Sequence, residues 1–291
     1  MKIKIITVAH KSFDTSVLPD GYFPIYVGGY EPEDKREKDK TYFLDNEGEN
    51  IASQNPWYCE LTAQYWAWKN LTNEDVLGIV HYRRYFMNFQ EDSKSFGDDI
   101  LRADEIQRVF ESGKFDIIVP LAAGKFKDSS VMYKKKPIDS QDPQWVIIYK
   151  IIEKYYPEYL NAFSKVIYGK KQYWWNMLIA KQDVFASYCE WLFGVLKKYD
   201  KYVSEELHKE RIPRVDGFLA ELLPMVWIEA NIDKKRVKHF DVENTESNHL
   251  SYDSKSVNNM IRKAVYCHPL ILKTLKNVQM YVRILKNFYI S

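Results

Sequence analysis

The sequence predicts an α/β fold with a mainly parallel sheet in its first half and a more helical second half. Short apolar runs at residues 2–9, 23–27, 75–80 and 115–120 have strand length, and helical periodicity separates them at 56–70 and 102–112. Beyond residue 144 the pattern is mostly helical. At 291 residues and 46% hydrophobic, the chain can bury one large core or two small ones.

Residues 2–9 form a β-branched run closed by His10 and Lys11, a buried strand that delivers polar side chains at its C-terminal end. Residues 23–27, closed by Gly28 and Gly29, make a second strand. Residues 31–50 are charged and turn-rich, as expected of a mobile surface loop. Asn55 and Pro56 then offer an N-cap and a first-turn proline for a helix running to Asn70. Tyr58, Thr62, Tyr65 and Lys69 share one stripe of that helix, flanked by Leu61 and Trp68. The stripe suits a half-buried face with a snorkelling lysine as well as it suits a ligand-facing surface.

The strand at 75–80 runs directly into His81, Tyr82, Arg83, Arg84, Tyr85 and Phe86, and 115–120 repeats the design with a terminal proline. In parallel sheets ligands bind beyond the carboxyl ends of the strands, so His10, Gly28 and His81 are expected to converge on one crevice. Helices are predicted at 144–155, 157–168 and 181–198, a strand at 173–180, and a last helix from Asp216 to Ala230 kinked at Pro224. The domain reading is 1–250 for the body and 251–291 for a basic amphipathic helical tail.

Net charge is only +2, yet residues 255–291 hold seven Lys or Arg and no Asp or Glu, leaving an acidic body. The tail's apolar spacing is helical, which suits either docking on an anionic leaflet or packing on the body or another subunit. Cys59, Cys189 and Cys267 are odd in number and widely spaced, against a disulfide framework or zinc knuckle. The first apolar run is too short for a signal peptide and no stretch approaches a membrane span, so the expected location is cytoplasmic, peripherally membrane-associated through the tail.

Two arginines and a histidine after a buried strand are costly unless something anionic meets them. Arg forks match phosphate oxygens, and tyrosine adds a hydroxyl donor or stacking face. Internal carboxylates as partners for Arg83 and Arg84 satisfy the same chemistry. No Asp-x-Asp pair follows the strand at 75–80 to hold a metal on a diphosphate; Asp98-Asp99 and Asp241-Val242-Glu243 lie elsewhere. P-loop, Gly-x-Gly-x-x-Gly, Gly-x-Ser-x-Gly and His-Glu-x-x-His patterns are missing from the sequence. Arg214, Asp216 and Glu221 bring a cation and two carboxylates to the start of a predicted helix, where Asp216 suits a cap and Glu221 suits a general base or an ion pair with Arg214.

An ordered set of pieces carries a resemblance. It runs through Val8-Ala9-His10-Lys11, Asn55, Tyr58-Cys59-Glu60-Leu61-Thr62, Tyr65-Trp66, Trp68-Lys69-Asn70, Gly78 and His81-Tyr82-Arg83-Arg84-Tyr85-Phe86. It continues through Tyr156-Pro157, Asn176-Met177, Tyr188-Cys189-Glu190, Arg214 and Gly217 to Glu221. Over roughly the first 240 residues the sequence resembles the domain of bacterial capsular and exopolysaccharide biosynthesis glycosyltransferases, some of them β-1,3-galactofuranosyltransferases. Residues 131–137 depart from that pattern, which bears on acceptor choice.

The resemblance implies a Rossmann-like, GT-A type transferase that moves a hexose, galactofuranose included, from a UDP-sugar to a glycan acceptor; the basic tail adds the expectation of a lipid-linked acceptor, and the mechanism expected is inverting. His81, Tyr82, Arg83 and Arg84 would hold the diphosphate, with Lys69, His10, Thr62 and Tyr65 also on the donor. Glu221, or else Asp216, would be the base, while Glu60, Asn176 and Arg214 bind sugar or acceptor. On this reading no metal is required, with Mn2+ or Mg2+ left open, and nucleic acid is not a partner. The rival classes are a non-catalytic carbohydrate-binding module and an RNA-binding protein using the basic, aromatic segment 81–86 as a stacking platform.

Overall fold

The structure is a computed structural model and describes residues 1–89, 93, 95–121, 144–169, 173 and 175–245. The tail at 251–291 and the departing segment at 131–137 lie outside the described residues.

The chain builds β1 (Ile3–Ala9), β2 (Tyr22–Tyr26), α1 (Lys35–Lys38), β3 (Phe43–Leu44), α2 (Asn55–Tyr58), α3 (Leu61–Asn70), β4 (Val76–His81) and β5 (Arg84–Met87). Next come α4 (Ala103–Glu111), β6 (Ile117–Pro120), α5 (Gln144–Tyr155), α6 (Leu160–Ile167), β7 (Leu178–Lys181) and α7 (Gln182–Lys201). The described chain closes with α8 (Val215–Leu219), α9 (Leu223–Asn231) and β8 (Val237–Asn244).

β3, β2, β1 and β4 pair in parallel in that order. The chain leaves β1 for β2 on one side and returns to β4 on the other, so the topological switch lies between β1 and β4. Period-two alternation splits β1 between two cores. Ile6 and Val8 pack with α3, α5 and α7, whereas Ile5 packs with Val80, Ile106 and Ile179 on the opposite face. Gly78, in the middle of β4, makes room for Ile5 and Ile179: a Cβ there would lie 2.7 Å from Ile5 Cδ1 and 2.8 Å from Ile179 Cγ1.

Several expectations are corrected. The sheet is mixed rather than mainly parallel, because β4–β5, β4–β7, β5–β8 and β6–β7 are antiparallel. With the parallel β6–β8 pair these links close five strands into a small ring. Asp241 and Glu243 belong to β8 and pair with Met87 and Tyr85. The basic segment does not run on from its strand: Tyr82 and Arg83 form a turn, and Arg84 opens β5 directly opposite His81. Cross-strand partners share a face, so the hairpin presents both side chains together.

Residues 31–50 are tied down by a buried acid. Glu37, 1% exposed, accepts bonds from Tyr26 Oη, Ser12 Oγ and the Phe13 amide. The predicted helix 56–70 breaks at Cys59, whose φ of +51° ends α2 before α3 begins, and Asn55 uses its side chain inside that break instead of as a cap. The last predicted helix is two, separated at 220–222, with Pro224 in the first turn of α9 where its missing N–H costs nothing. The strand predicted at 173–180 is confined to β7, because Trp175 and Asn176 adopt left-handed backbone.

Candidate functional site

A cleft of about 640 Å3 opens at the carboxyl ends of β1, β2 and β4, beside the topological switch. Its walls are His10 and Lys11 beyond β1, Gly28 beyond β2, Asn55, Cys59 and Glu60 at the α2–α3 break, and the hairpin residues His81 to Arg84. Trp175, Arg214 and Glu221 complete it from the second half of the chain. The expected convergence of His10, Gly28 and His81 is therefore present.

Tyr82 is the hub of the hairpin. The His10 ring meets it edge-on at 5.5 Å, and Lys11 Nζ and Arg83 Cζ each lie 5.5 Å from its centroid. Its buried hydroxyl makes no hydrogen bond to any described residue. Arg84 sits 5.5 Å from the Trp175 ring centroid, and its buried Nε likewise has no hydrogen-bond partner among the described residues. Burial and then the neighbouring Arg83 charge pull the Arg84 pKa down, with Glu60 and Glu221 offsetting them only in part. A guanidinium remains charged under such a shift. His81 donates from Nε2 to the Trp175 carbonyl at 2.5 Å, which fixes the proton on that nitrogen because a carbonyl can only accept. Burial lowers the His81 pKa, only partly offset by Glu60, so the neutral ring is favoured.

Among the lining residues Lys11, Arg83, Arg84 and Arg214 face only two carboxylates, Glu60 and Glu221. Glu60 Oε1 also accepts from Asn176 Nδ2 at 2.6 Å. A cleft whose lining carries more cations than carboxylates, beside backbone turns and aromatic faces, has the chemistry of a polyanion site. Gly28 is necessary to its shape. Its φ is +69°, and a Cβ would stand 2.9 Å from Asn55 Oδ1. Burial raises the Cys59 thiol pKa, with Glu60 adding and Arg214 opposing.

Thr62, Tyr65, Lys69, Asn176 and Asp216 fall outside the cleft lining. Thr62 is fully buried and donates to Asp45 Oδ2 at 2.5 Å, so it braces the loop after β3. Tyr65 Oη reaches Glu49 at 3.2 Å, and Lys69 pairs with the same carboxylate at 3.5 Å while lying 3.8 Å over Trp68. That is the snorkelling arrangement, with both heads on Glu49. Asp216 is 0% exposed, 3.9 Å from Arg211, in a cluster with Asp200 and Tyr58. Burial drives its carboxyl well above the usual range, Asp200 adding and Arg211 partly offsetting.

Lys11, Cys59 and Trp175 are cleft residues to which the sequence reading assigned no role. Lys11 follows His10 directly and carries the same strand-end signal. Trp175 has no such signal, because nothing in its neighbours announces a left-handed turn. Among the described residues no three His, Cys, Asp or Glu side chains gather into a metal-holding group, and no helix is long and apolar enough to cross a membrane. A second cavity of about 620 Å3, lined by Val166, Tyr173, Met225 and Ile228, lies between α6, α9 and β8.

Solved structures similar to this chain include glycosyltransferases. The apo structure of the bifunctional glycosyltransferase WbbM aligns with a TM-score of 0.65 and 26% identity over 84% of this chain and 45% of that one, so this chain spans less than half of WbbM's length. Core-mannan synthase A (CmsA/Ktr4) from Aspergillus fumigatus in its Mn/GDP form aligns at TM-score 0.41 and 12% identity, over 81% of this chain and 72% of that one. The mannosyltransferase Ktr4p from S. cerevisiae aligns at 0.41 and 11%, over 84% and 70%. No curated protein sequence matches. The family match extends from residue 4 to residue 232, taking in every wall of the cleft, and by it the chain belongs to the family described as Domain of unknown function (DUF4422).

Proposed function

We propose that the chain is a GT-A-like glycosyltransferase that transfers a hexose from a UDP-sugar to a glycan acceptor, with the His81–Arg84 hairpin holding the donor's diphosphate. The observation that carries the reading is the gathering of Lys11, Arg83, Arg84 and Arg214 in one cleft at the β1/β4 switch point. The likeness to WbbM at 26% identity supports the same class.

In this mechanism the acceptor hydroxyl oxygen attacks the anomeric carbon while the bond from that carbon to the diphosphate oxygen breaks. Glu221 takes the hydroxyl proton, and UDP departs with the bonding pair, so the sugar inverts. Negative charge grows on the leaving diphosphate, where Arg83, Arg84 and Lys11 are already placed to stabilise it without reorganisation. Glu221 is preferred to Asp216 as base because it lines the cleft beside Arg84, whereas Asp216 lies outside the lining. Lys69 is dropped from the donor site for the reason given by its pairing with Glu49. These cations take the electrostatic role that a divalent metal plays on other diphosphates.

The finer reading takes from the resemblance to capsular and exopolysaccharide enzymes a surface polysaccharide as acceptor with galactofuranose among the candidate hexoses, and from the basic tail a lipid-linked acceptor and a cytoplasmic, peripherally membrane-associated location. UDP release from a panel of UDP-hexoses, with and without EDTA, tests the proposal. Release that persists in EDTA and disappears in Glu221→Gln supports it. Loss of release in EDTA sinks the metal-independent mechanism, and no release from any donor with suitable acceptors sinks the enzyme reading.

A further inference from the structure

Two consecutive residues at the cleft, Trp175 and Asn176, share an unusual backbone conformation. Both residues have positive φ, +78° and +52°. Asparagine tolerates that region, but tryptophan rarely enters it, and such conformations persist only where surrounding contacts over-determine them. Here three contacts do so. His81 Nε2 donates to the Trp175 carbonyl, and Asn176 Nδ2 donates to Glu60 Oε1 at 2.6 Å and to the Gly217 carbonyl at 3.1 Å. Those partners belong to the end of β4, the start of α3 and the helix α8, so one turn ties three walls of the cleft together.

The chemistry of the partners fixes the amide's orientation. Glu60 and Gly217 offer only acceptors at these atoms, so the nitrogen must face them. With that nitrogen doubly engaged and the residue 4% exposed, Asn176 has no donor left for a sugar. Glu60 is different. It lines the cleft, one oxygen is held by Asn176, and the other makes no hydrogen bond to any described residue.

We propose that Asn176 is a positioning residue which locks the Glu60 carboxylate, and that Glu60, so held, is a specificity-determining residue accepting a hydroxyl of the transferred sugar. The inference rests on the transferase reading above and identifies the substrate feature it recognises: a ring hydroxyl, which a deoxy sugar lacks. A carboxylate with one oxygen pinned presents the other in a single direction, and a site built to pair a hydroxyl rejects the analogue without it.

The test is a double-mutant cycle with Asn176→Gly and Glu60→Gln, scored by kcat/KM for UDP-hexoses and for their deoxy analogues. Glycine keeps access to the left-handed backbone while removing the amide. Each single variant is expected to cut the preference for one hydroxyl position by about tenfold. The Asn176 change is expected to add less than twofold in the Glu60→Gln background, because the effect passes through Glu60. A merely structural asparagine would lower the melting temperature and leave the preference intact, which overturns the proposal, as do independent, multiplying effects. If Asn176→Gly fails to fold, Asn176→Asp, close in shape but setting a charge against Glu60, must show the same loss of preference; an unchanged ratio overturns the idea. A wild-type protein that neither binds UDP nor consumes UDP-hexoses overturns both readings, whereas an active wild type with an indifferent Asn176 overturns only this one.

Discussion

Replacing Arg84 by Met separates the ligand-binding account of the cleft from an internal ion-pair account. Methionine keeps an apolar stem on the Trp175 face and removes the charge. Arg84 Nε has no hydrogen-bond partner among the described residues, and burial together with Arg83 already disfavours its charge, so the guanidinium gains most when an anion arrives. One lost charge-assisted pair costs about 1.5–3 kcal/mol of binding, or roughly 10- to 150-fold in UDP affinity. Titration calorimetry with UDP in EDTA at fixed ionic strength reads the change, and a melting curve on the same sample reads stability. The expected outcome is a large loss of affinity with little change in melting temperature. The reverse, affinity within twofold and a marked fall in melting temperature, would show that Arg84 exists to neutralise Glu60 and Glu221.

Other outcomes follow from the same geometry. Lys69→Met and Tyr65→Phe should leave UDP affinity within twofold, because both heads are turned to Glu49; a tenfold loss in calorimetry would return them to the donor site. Thr62→Val should cost about 1–3 kcal/mol in urea unfolding, since it strands the buried Asp45 carboxylate. Gly28→Ala should weaken UDP binding and lower stability together, because a side chain at φ +69° would also press on Asn55. Asp216 titrates above its unfolded value, so the folded state holds its proton longer and loses stability as pH rises from the ordinary carboxyl range toward the raised pKa. Asp216→Asn removes that loss, and its advantage in urea unfolding should grow by up to about 1.4 kcal/mol per pH unit across the window. A wild-type protein that gains on the variant as pH rises would contradict the assignment.

Much of the first half was legible because its signals are local. β-branched runs bounded by glycine or polar pairs located β1, β2 and β4, and the switch-point rule then placed His10, Gly28 and His81 together. What escaped depends on contacts distant in sequence. The stripe of Tyr65 and Lys69 has the period of a binding face, yet its surroundings are decided by Glu49 and Phe193. Glu37 looked like one more charge in a polar loop until Tyr26 and Ser12 folded onto it. Cys59, Trp175 and Arg214 occupy left-handed backbone that no propensity announces for such residues, and all three line the cleft. Local rules fail here at the candidate site, where strained geometry is most useful.

The central claim is that the His81–Arg84 hairpin holds a nucleotide diphosphate. A crystal structure of the protein with UDP, grown in EDTA, tests it most directly. The account predicts the two phosphates between the hairpin and His10–Lys11, with Arg83 and Arg84 on their oxygens and Glu221 facing the point where a sugar would begin. UDP seated instead in the cavity between Val166 and Ile228, or a cleft in which Arg83 and Arg84 close on Glu60 and Glu221 and exclude the nucleotide, would contradict it.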